Sequence, residues 1–235
     1  MEIGNFEKVI ENKEIEQIAA GILKEDINQI SRICEQWGEN EDEVREYNVY
    51  IITTASKKAI LKKTEKIESD IYTNYLSKGD FNVPHLYGFL EKDDDNWICI
   101  EMIEGDDLRD MTDEIALSAA KTLGGIQACF WTDDLECTTE DEVKGRFIKY
   151  WQRVLRRAQF LADKPVLRKA YQIFLDRQLT APCTLSNGDF LEFNAMFDCE
   201  KVVMIDWGFG GMMPYSLDIA RFIAHATETR CTFPF

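Results

Sequence analysis

Residues 186–211, "SNGDFLEFNAMFDCEKVVMIDWGFGG", constrain the fold of this chain more than any other stretch. Asp189 follows a glycine, Asn194 comes five positions later, and Asp206 ends the apolar run "VVMI" another twelve on. The segment around the turn "DCE" predicts a short apolar β-hairpin. Asn194 stands just before its first strand and Asp206 just after its second, so their side chains can share one ion. Phosphoryl transfer needs such a set: a carboxylate to accept a hydroxyl proton and orient the attacking oxygen, and oxygen donors to hold Mg²⁺ against nucleotide phosphates. The rival reading is a loop and hairpin that happen to carry polar residues.

With 235 residues and 45% hydrophobic content, the chain can bury a sizeable core in one large domain or two small lobes. Its apolar runs are far shorter than a bilayer span, and its first residues lack the basic start and apolar block of a leader, so a soluble cytoplasmic protein with no membrane partner is expected. Seven cysteines without metal-site spacing read as mostly buried thiols in a reducing compartment rather than disulfides. A net charge of -16, from 27 basic and 43 acidic residues, argues against nucleic acid as a partner and permits a cationic one. A monomer is expected.

The pattern changes near residue 105. Before it, strand-like segments dominate: "QISRICEQ", "REYNVYIITT" with Tyr47, Val49 and Ile51 on one face, "KAILKKT", "HLYGFL" and "NWICIEMI". A helix over 65–77 interrupts them, with Ile67, Ile71 and Tyr75 at four-residue spacing and Gly79 placed to end it. After Gly105 the periodicity predicts helices over 112–130, 142–162, 165–179 and 217–227. The second carries an apolar stripe of Phe147, Trp151, Val154, Leu155 and Ala158, opposite a basic face of Arg146, Lys149, Arg153 and Arg156 that is expected to be solvated. The expected class is α+β: a small antiparallel-sheet lobe over 1–104 and a larger, mainly helical lobe over 105–235, a layout suited to a cleft-bound nucleotide.

"NGDFLEFN", "MIDW" and "LDIA" resemble the signature of the aminoglycoside phosphotransferase and choline kinase group of the protein-kinase-like superfamily, usually His-Gly-Asp, four residues, Asn, then Ile-Asp-Trp. "AILK" resembles the strand that presents the family's nucleotide-binding lysine, which makes Lys62 that candidate. Lys57, Lys58, Lys63 and Lys66 lie nearby, but strand alternation sends Lys62 and Lys63 to opposite faces, and Lys62 ends the apolar run. Glu68 stands where the family places the lysine's carboxylate partner, with Glu65 as rival. "ICIEMIEGDDL" resembles the connector between lobes, where backbone at Glu101, Met102 and Ile103 would meet the purine, and "VPHLYGF" matches the segment before it.

The resemblance spans about residues 45–224 and implies a two-lobed protein-kinase-like fold. It further implies Asp189 as catalytic base, Asn194 and Asp206 as Mg²⁺ ligands, Asp218 as a brace for the catalytic loop, ATP or GTP as donor, and a small-molecule hydroxyl as acceptor. Acidic pockets serve polyamine substrates in this family. Asp106, Asp107, Asp110, Asp133, Asp134 and Glu136 lie in suitable segments, so a cationic, aminoglycoside-like acceptor is expected ahead of choline. A choline or ethanolamine kinase, or a nucleotide-binding module without catalysis, are the alternatives. Three features depart from the family pattern. Asn187 replaces the usual histidine, the acidic "WGENEDEV" stands where a glycine-rich loop is common, and "TETRCTFPF" ends the sequence where relatives continue in further helices. His85 and His225 are far apart and read as structural; Trp131 and Trp151 read as core or as pocket walls.

Overall fold

A computed structural model of the chain describes residues 4–36, 43–133, 141–159 and 163–230. The acidic stretch 37–42, Asp134, Glu136, the side chain of His225 and the final "CTFPF" lie outside the described residues. The chain divides into two compact units, Met1–Thr73 with Pro84–Glu104, and Asn74–Val83 with Gly105–Phe235.

Alternating apolar residues build the first unit. Six strands, β1 (Gly4–Val9), β2 (Gln29–Gln36), β3 (Val44–Thr53), β4 (Lys58–Thr64), β5 (Leu86–Lys92) and β6 (Asp95–Glu101), pair antiparallel in the order β1-β2-β3-β4-β6-β5. The sequence pattern assigned no element before residue 29, yet helix α1 (Lys13–Leu23) supplies three residues of a buried core there. The side chain of Asn12 caps it, accepting the N–H groups of Glu14 and Ile15, and Lys24 ends it in the left-handed region at φ 57°. Ile15, Ile18 and Ala19 of α1 pack with Ile30, Tyr50, Ile52, Ala59, Leu61, Trp97 and Cys99 of the sheet. The expected helix over 65–77 is α2 (Lys66–Asn74) followed by a separate 3₁₀ turn, Leu76–Lys78, because Tyr75 leaves helical geometry at φ -123°.

The second unit is mainly helical: α3 (Asp113–Cys129), α4 (Glu142–Ala158), α5 (Pro165–Thr180) and α6 (Ser216–Arg230). Two small sheets accompany them. β7 (Asp106–Asp107), β9 (Ala195–Phe197) and β10 (Val202–Met204) form one, in the order β10-β9-β7, and β8 (Cys183–Ser186) pairs with β11 (Gly211–Pro214) in the other. Hydroxyls on α3 anchor the hairpin: the Oγ of Ser118 accepts the N–H of Val202, and the Oγ1 of Thr122 donates to its carbonyl, both at 2.8 Å. Residues 74–83 join this unit because Asn82 donates to Thr122 and its carbonyl accepts the N–H of Met204.

Arg146 corrects the expected basic face of α4. It is 9% exposed, and its guanidinium donates to the carbonyls of Gly208 at 3.0 Å and Phe209 at 3.3 Å. A methyl group on Gly211 would lie 2.5 Å from the Cβ of Arg146, so the absence of a side chain there lets α4 reach those carbonyls. Leu155, placed on the apolar stripe, is 43% exposed; Val143 and Val154 carry the packing instead.

Candidate active site

β8 delivers Asn187, Gly188 and Asp189, and α6 holds them. Asp218 is fully buried; its Oδ2 accepts the N–H of Asn187 at 2.8 Å and its Oδ1 that of Gly188 at 2.9 Å. Burial pushes its carboxyl above the ordinary value, and the two backbone donors oppose that rise. Gly188 adopts φ 79°, and a Cβ on it would stand 2.3 Å from the carbonyl oxygen of Phe209. Any side chain there would force apart the loop carrying Asp189 and the loop that comes after Asp206.

Asn187 ties these loops together. Its Nδ2 donates to the carbonyls of Ile205 at 3.1 Å and Asp206 at 3.0 Å, while its Oδ1 accepts the N–H of Asp189 at 3.2 Å. A fully buried amide with both ends used thus occupies the position where the resembled family has histidine.

The three residues singled out by their spacing lie together. Asn194 donates through Nδ2 to the backbone carbonyl of Asp189 at 2.7 Å and to its Oδ2 at 3.1 Å. The carbonyl of Asn194 accepts the N–H of Ile205 at 3.1 Å, which brings Asp206 beside it. Asp206 has φ 56°, a left-handed conformation that costs a residue with a Cβ about 1–2 kcal/mol and points to an enforced geometry. The donor set fits Mg²⁺. With Nδ2 of Asn194 committed to Asp189, its Oδ1 is the atom left to meet an ion, and the carboxylate of Asp206, one residue past the Ile205 bond, would add a second hard oxygen. Among the described residues no group of three His, Cys, Asp or Glu could hold a metal by itself, whereas Mg²⁺ takes one or two protein oxygens and completes its shell with phosphate and water.

Sequence reasoning missed Arg221 of α6. Its Nε and Nη2 reach Oδ1 of Asp189 at 2.7 Å and 2.5 Å. The neighbouring Phe222 stacks on Phe190, ring centroids 4.8 Å apart. The available signal was helical spacing: Arg221 lies three residues after Asp218 and therefore on the same face of α6.

In the first unit, Lys62 and Glu68 meet. Nζ of Lys62 lies 2.8 Å from Oε1 of Glu68, which is fully buried, and Thr64 donates its hydroxyl to Oε2 at 2.5 Å. Lys57, Lys58, Lys63 and Lys66 pair instead with Glu25, Glu104, Asp95 and Glu91. At the connector, the backbone N–H of Glu101 donates to the carbonyl of His85 at 2.8 Å, and its Oε2 accepts the N–H of His85. The N–H of Glu101 is therefore committed within the unit, and Met102 and Ile103 continue as irregular, half-buried chain.

A cavity of about 340 Å³ in the second unit is lined by Asp106, Asp107, Arg109, Asp110, Ile115 and Phe197. Arg109 is clamped onto Asp107, with Nη2 at 2.5 Å and Nε at 2.6 Å from Oδ2. Asp133 is exposed and accepts the indole N–H of Trp131, itself 46% exposed against Tyr215.

The model of the phosphotransferase enzyme family matches residues 36–233. No curated protein sequence gives a significant match. Among solved structures, an aminoglycoside-3'-phosphotransferase of type VIII is 18% identical with a TM-score of 0.52, over 83% of this chain and 78% of that one. An aminoglycoside phosphotransferase from Streptomyces rimosus, solved with ADP and streptomycin, gives 15% and 0.50, over 77% and 76%. Choline kinase from Cryptosporidium parvum gives 13% and 0.50, over 84% of this chain and 63% of the longer enzyme. At these identities the likeness is one of fold.

Proposed function

The chain belongs to the phosphotransferase enzyme family and has its protein-kinase-like α+β fold; on that premise we propose that it moves the terminal phosphoryl group of ATP or GTP, with Mg²⁺, onto a hydroxyl of a small cationic acceptor. The observation that carries this reading is the junction of Asp189, Asn194 and Asp206, made through the amide of Asn194 and the backbone at Ile205. Asp189 accepts the acceptor's hydroxyl proton as its oxygen attacks the γ-phosphorus. The bond to the nucleotide's bridging oxygen breaks, the nucleoside diphosphate leaves, and Asp189 later returns the proton to solvent. Asn194 and Asp206 would hold the ion, which would offset phosphate charge when bound. Lys62, oriented by Glu68, binds the donor's phosphates, and backbone at Glu101, Met102 and Ile103 receives the purine. The acids of the 340 Å³ cavity select a cationic acceptor. Choline- or ethanolamine-type kinases share these steps and differ in acceptor. A module without catalysis is disfavoured, because Asn187 still joins the loop of Asp189 to the residues around Asp206 through three side-chain hydrogen bonds.

A coupled nucleotide-consumption assay, run with ATP and GTP against amino-sugars, amino-alcohols and neutral sugars, tests the proposal. Asp189→Asn should lower turnover about 10²–10⁴-fold while Mg²⁺-nucleotide still raises the melting temperature. Asp206→Asn should weaken the metal-dependent rise itself. Full turnover by Asp189→Asn would remove Asp189 from the role of base.

A further inference from the structure

One turn of α6 grips four consecutive residues of the loop that carries Asp189. Asp218 takes the backbone N–H groups of Asn187 and Gly188, Arg221 takes the side chain of Asp189, and Phe222 stacks on Phe190. The contact with Asp189 is lopsided. Both guanidinium donors, Nε at 2.7 Å and Nη2 at 2.5 Å, fall on Oδ1, whereas Oδ2 receives Nδ2 of Asn194 at 3.1 Å. An ionised carboxylate offers two acceptor sites on each oxygen. Arg221 therefore fills Oδ1, and Oδ2 keeps one site next to its bond with Asn194. Charge-assisted bonds of this length are the stronger kind, so the guanidinium, rather than the amide, fixes how the carboxylate is turned.

We propose that Arg221 is a positioning residue: it saturates Oδ1 of Asp189 and fixes the carboxylate so that Oδ2 is the atom that takes the acceptor's proton. The proposal rests on the reading of Asp189 as base. Arg221 touches neither the reacting hydroxyl nor phosphorus in this scheme; it acts through Asp189. Its side chain is 46% exposed, so its removal leaves no buried cavity and the variants should fold.

The test uses the full chain with Arg221→Ala, Arg221→Lys, and each combined with Asp189→Asn. With the best acceptor of the panel, Arg221→Ala should lower kcat about 10²-fold, the loss typical of a reacting group displaced by an ångström, and leave nucleotide KM unchanged. Arg221→Lys should recover part of the rate, since an ammonium still reaches Oδ1. In the Asp189→Asn background, Arg221→Ala should cost nothing further. An unaltered kcat in Arg221→Ala, or an equal loss in both backgrounds, would overturn the proposal. A crystal structure of ligand-free Arg221→Ala separates this idea from the functional reading. If the wild-type chain consumes no nucleotide, the phosphotransferase reading and the assignment of Oδ2 fall together. The structure then still decides whether Arg221 positions the carboxylate: one swung away from Asn194 supports the positioning, and an unmoved one refutes it.

Discussion

Asn187 shows how one buried amide can do a loop's work. Its three hydrogen bonds join the residues before Asp189 to those around Asp206, and none can be replaced by water at a site with no exposure. Asn187→Ala would leave two carbonyls and one N–H without that partner, so it should cost about 1–3 kcal/mol, read as a lower urea midpoint, together with a drop in turnover. A variant of wild-type stability would show that the loop is held without it. Spacing made Asp189, Asn194 and Asp206 legible in the sequence, because a hairpin has few ways to place its ends. Arg146 was not legible, and Arg221 had only its helical spacing from Asp218 as a signal. An arginine on an amphipathic helix reads as solvated by default, and only tertiary packing reveals that one guanidinium lies under the carbonyls of Gly208 and Phe209 and the other on Asp189.

At the scale of elements, the longer strands from β2 to β6 and the hairpin of β9 and β10 with its turn were legible, whereas β7, β8 and β11 were not. β8 and β11 are buried at every position and β7 has two residues, so none shows a period to read. α1 is different, since its cap at Asn12 and its buried Ile15, Ile18 and Ala19 obey the helical pattern and were open to being read from the sequence. The segment just beyond α1 contributes to stability through charge. Glu25 reaches the turn between β3 and β4, with Nζ of Lys57 and Oγ of Ser56 each 2.8 Å away. Lys57 first, then the hydroxyls of Thr54 and Ser56, hold its carboxyl at about 2 instead of the ordinary 4.5. A depressed folded-state value means that the unfolded chain binds the proton first as pH falls. The stabilisation is therefore complete above about pH 4.5 and fades toward pH 2. Urea midpoints of the wild type and Glu25→Gln should differ by a constant amount near neutrality and converge across that window. A difference that persists at the acid end would show that Glu25 acts by packing rather than by charge.

At the scale of the whole molecule, the change from alternating to helical periodicity was legible because each unit has its own secondary-structure composition. The placement of residues 74–83 was not, since it depends on pairings such as Asn82 with Thr122 and Met204 that have no local signature. Charge is the property that belongs to the molecule as a whole. A net -16 gives the surface an attractive long-range field for cations, and the cavity beside β7 concentrates it, with three aspartates among six lining residues and Arg109 already spent on Asp107. A multiply charged amine would be drawn there before any specific contact forms. Salt shortens the reach of that field, from about 10 Å at 0.1 M to about 3 Å at 1 M. The apparent KM for a polyamine acceptor should therefore rise several-fold over that range while kcat changes little, because screening weakens capture and leaves the bound geometry alone. The KM for a neutral sugar should stay flat in the same experiment, which controls for general effects of salt on the enzyme. Asp106→Asn combined with Asp110→Asn should flatten the salt dependence of the polyamine toward that of the neutral sugar. A neutral or anionic compound proving the best acceptor, or a polyamine KM indifferent to salt, would remove the cationic acceptor and leave phosphoryl transfer by Asp189 standing.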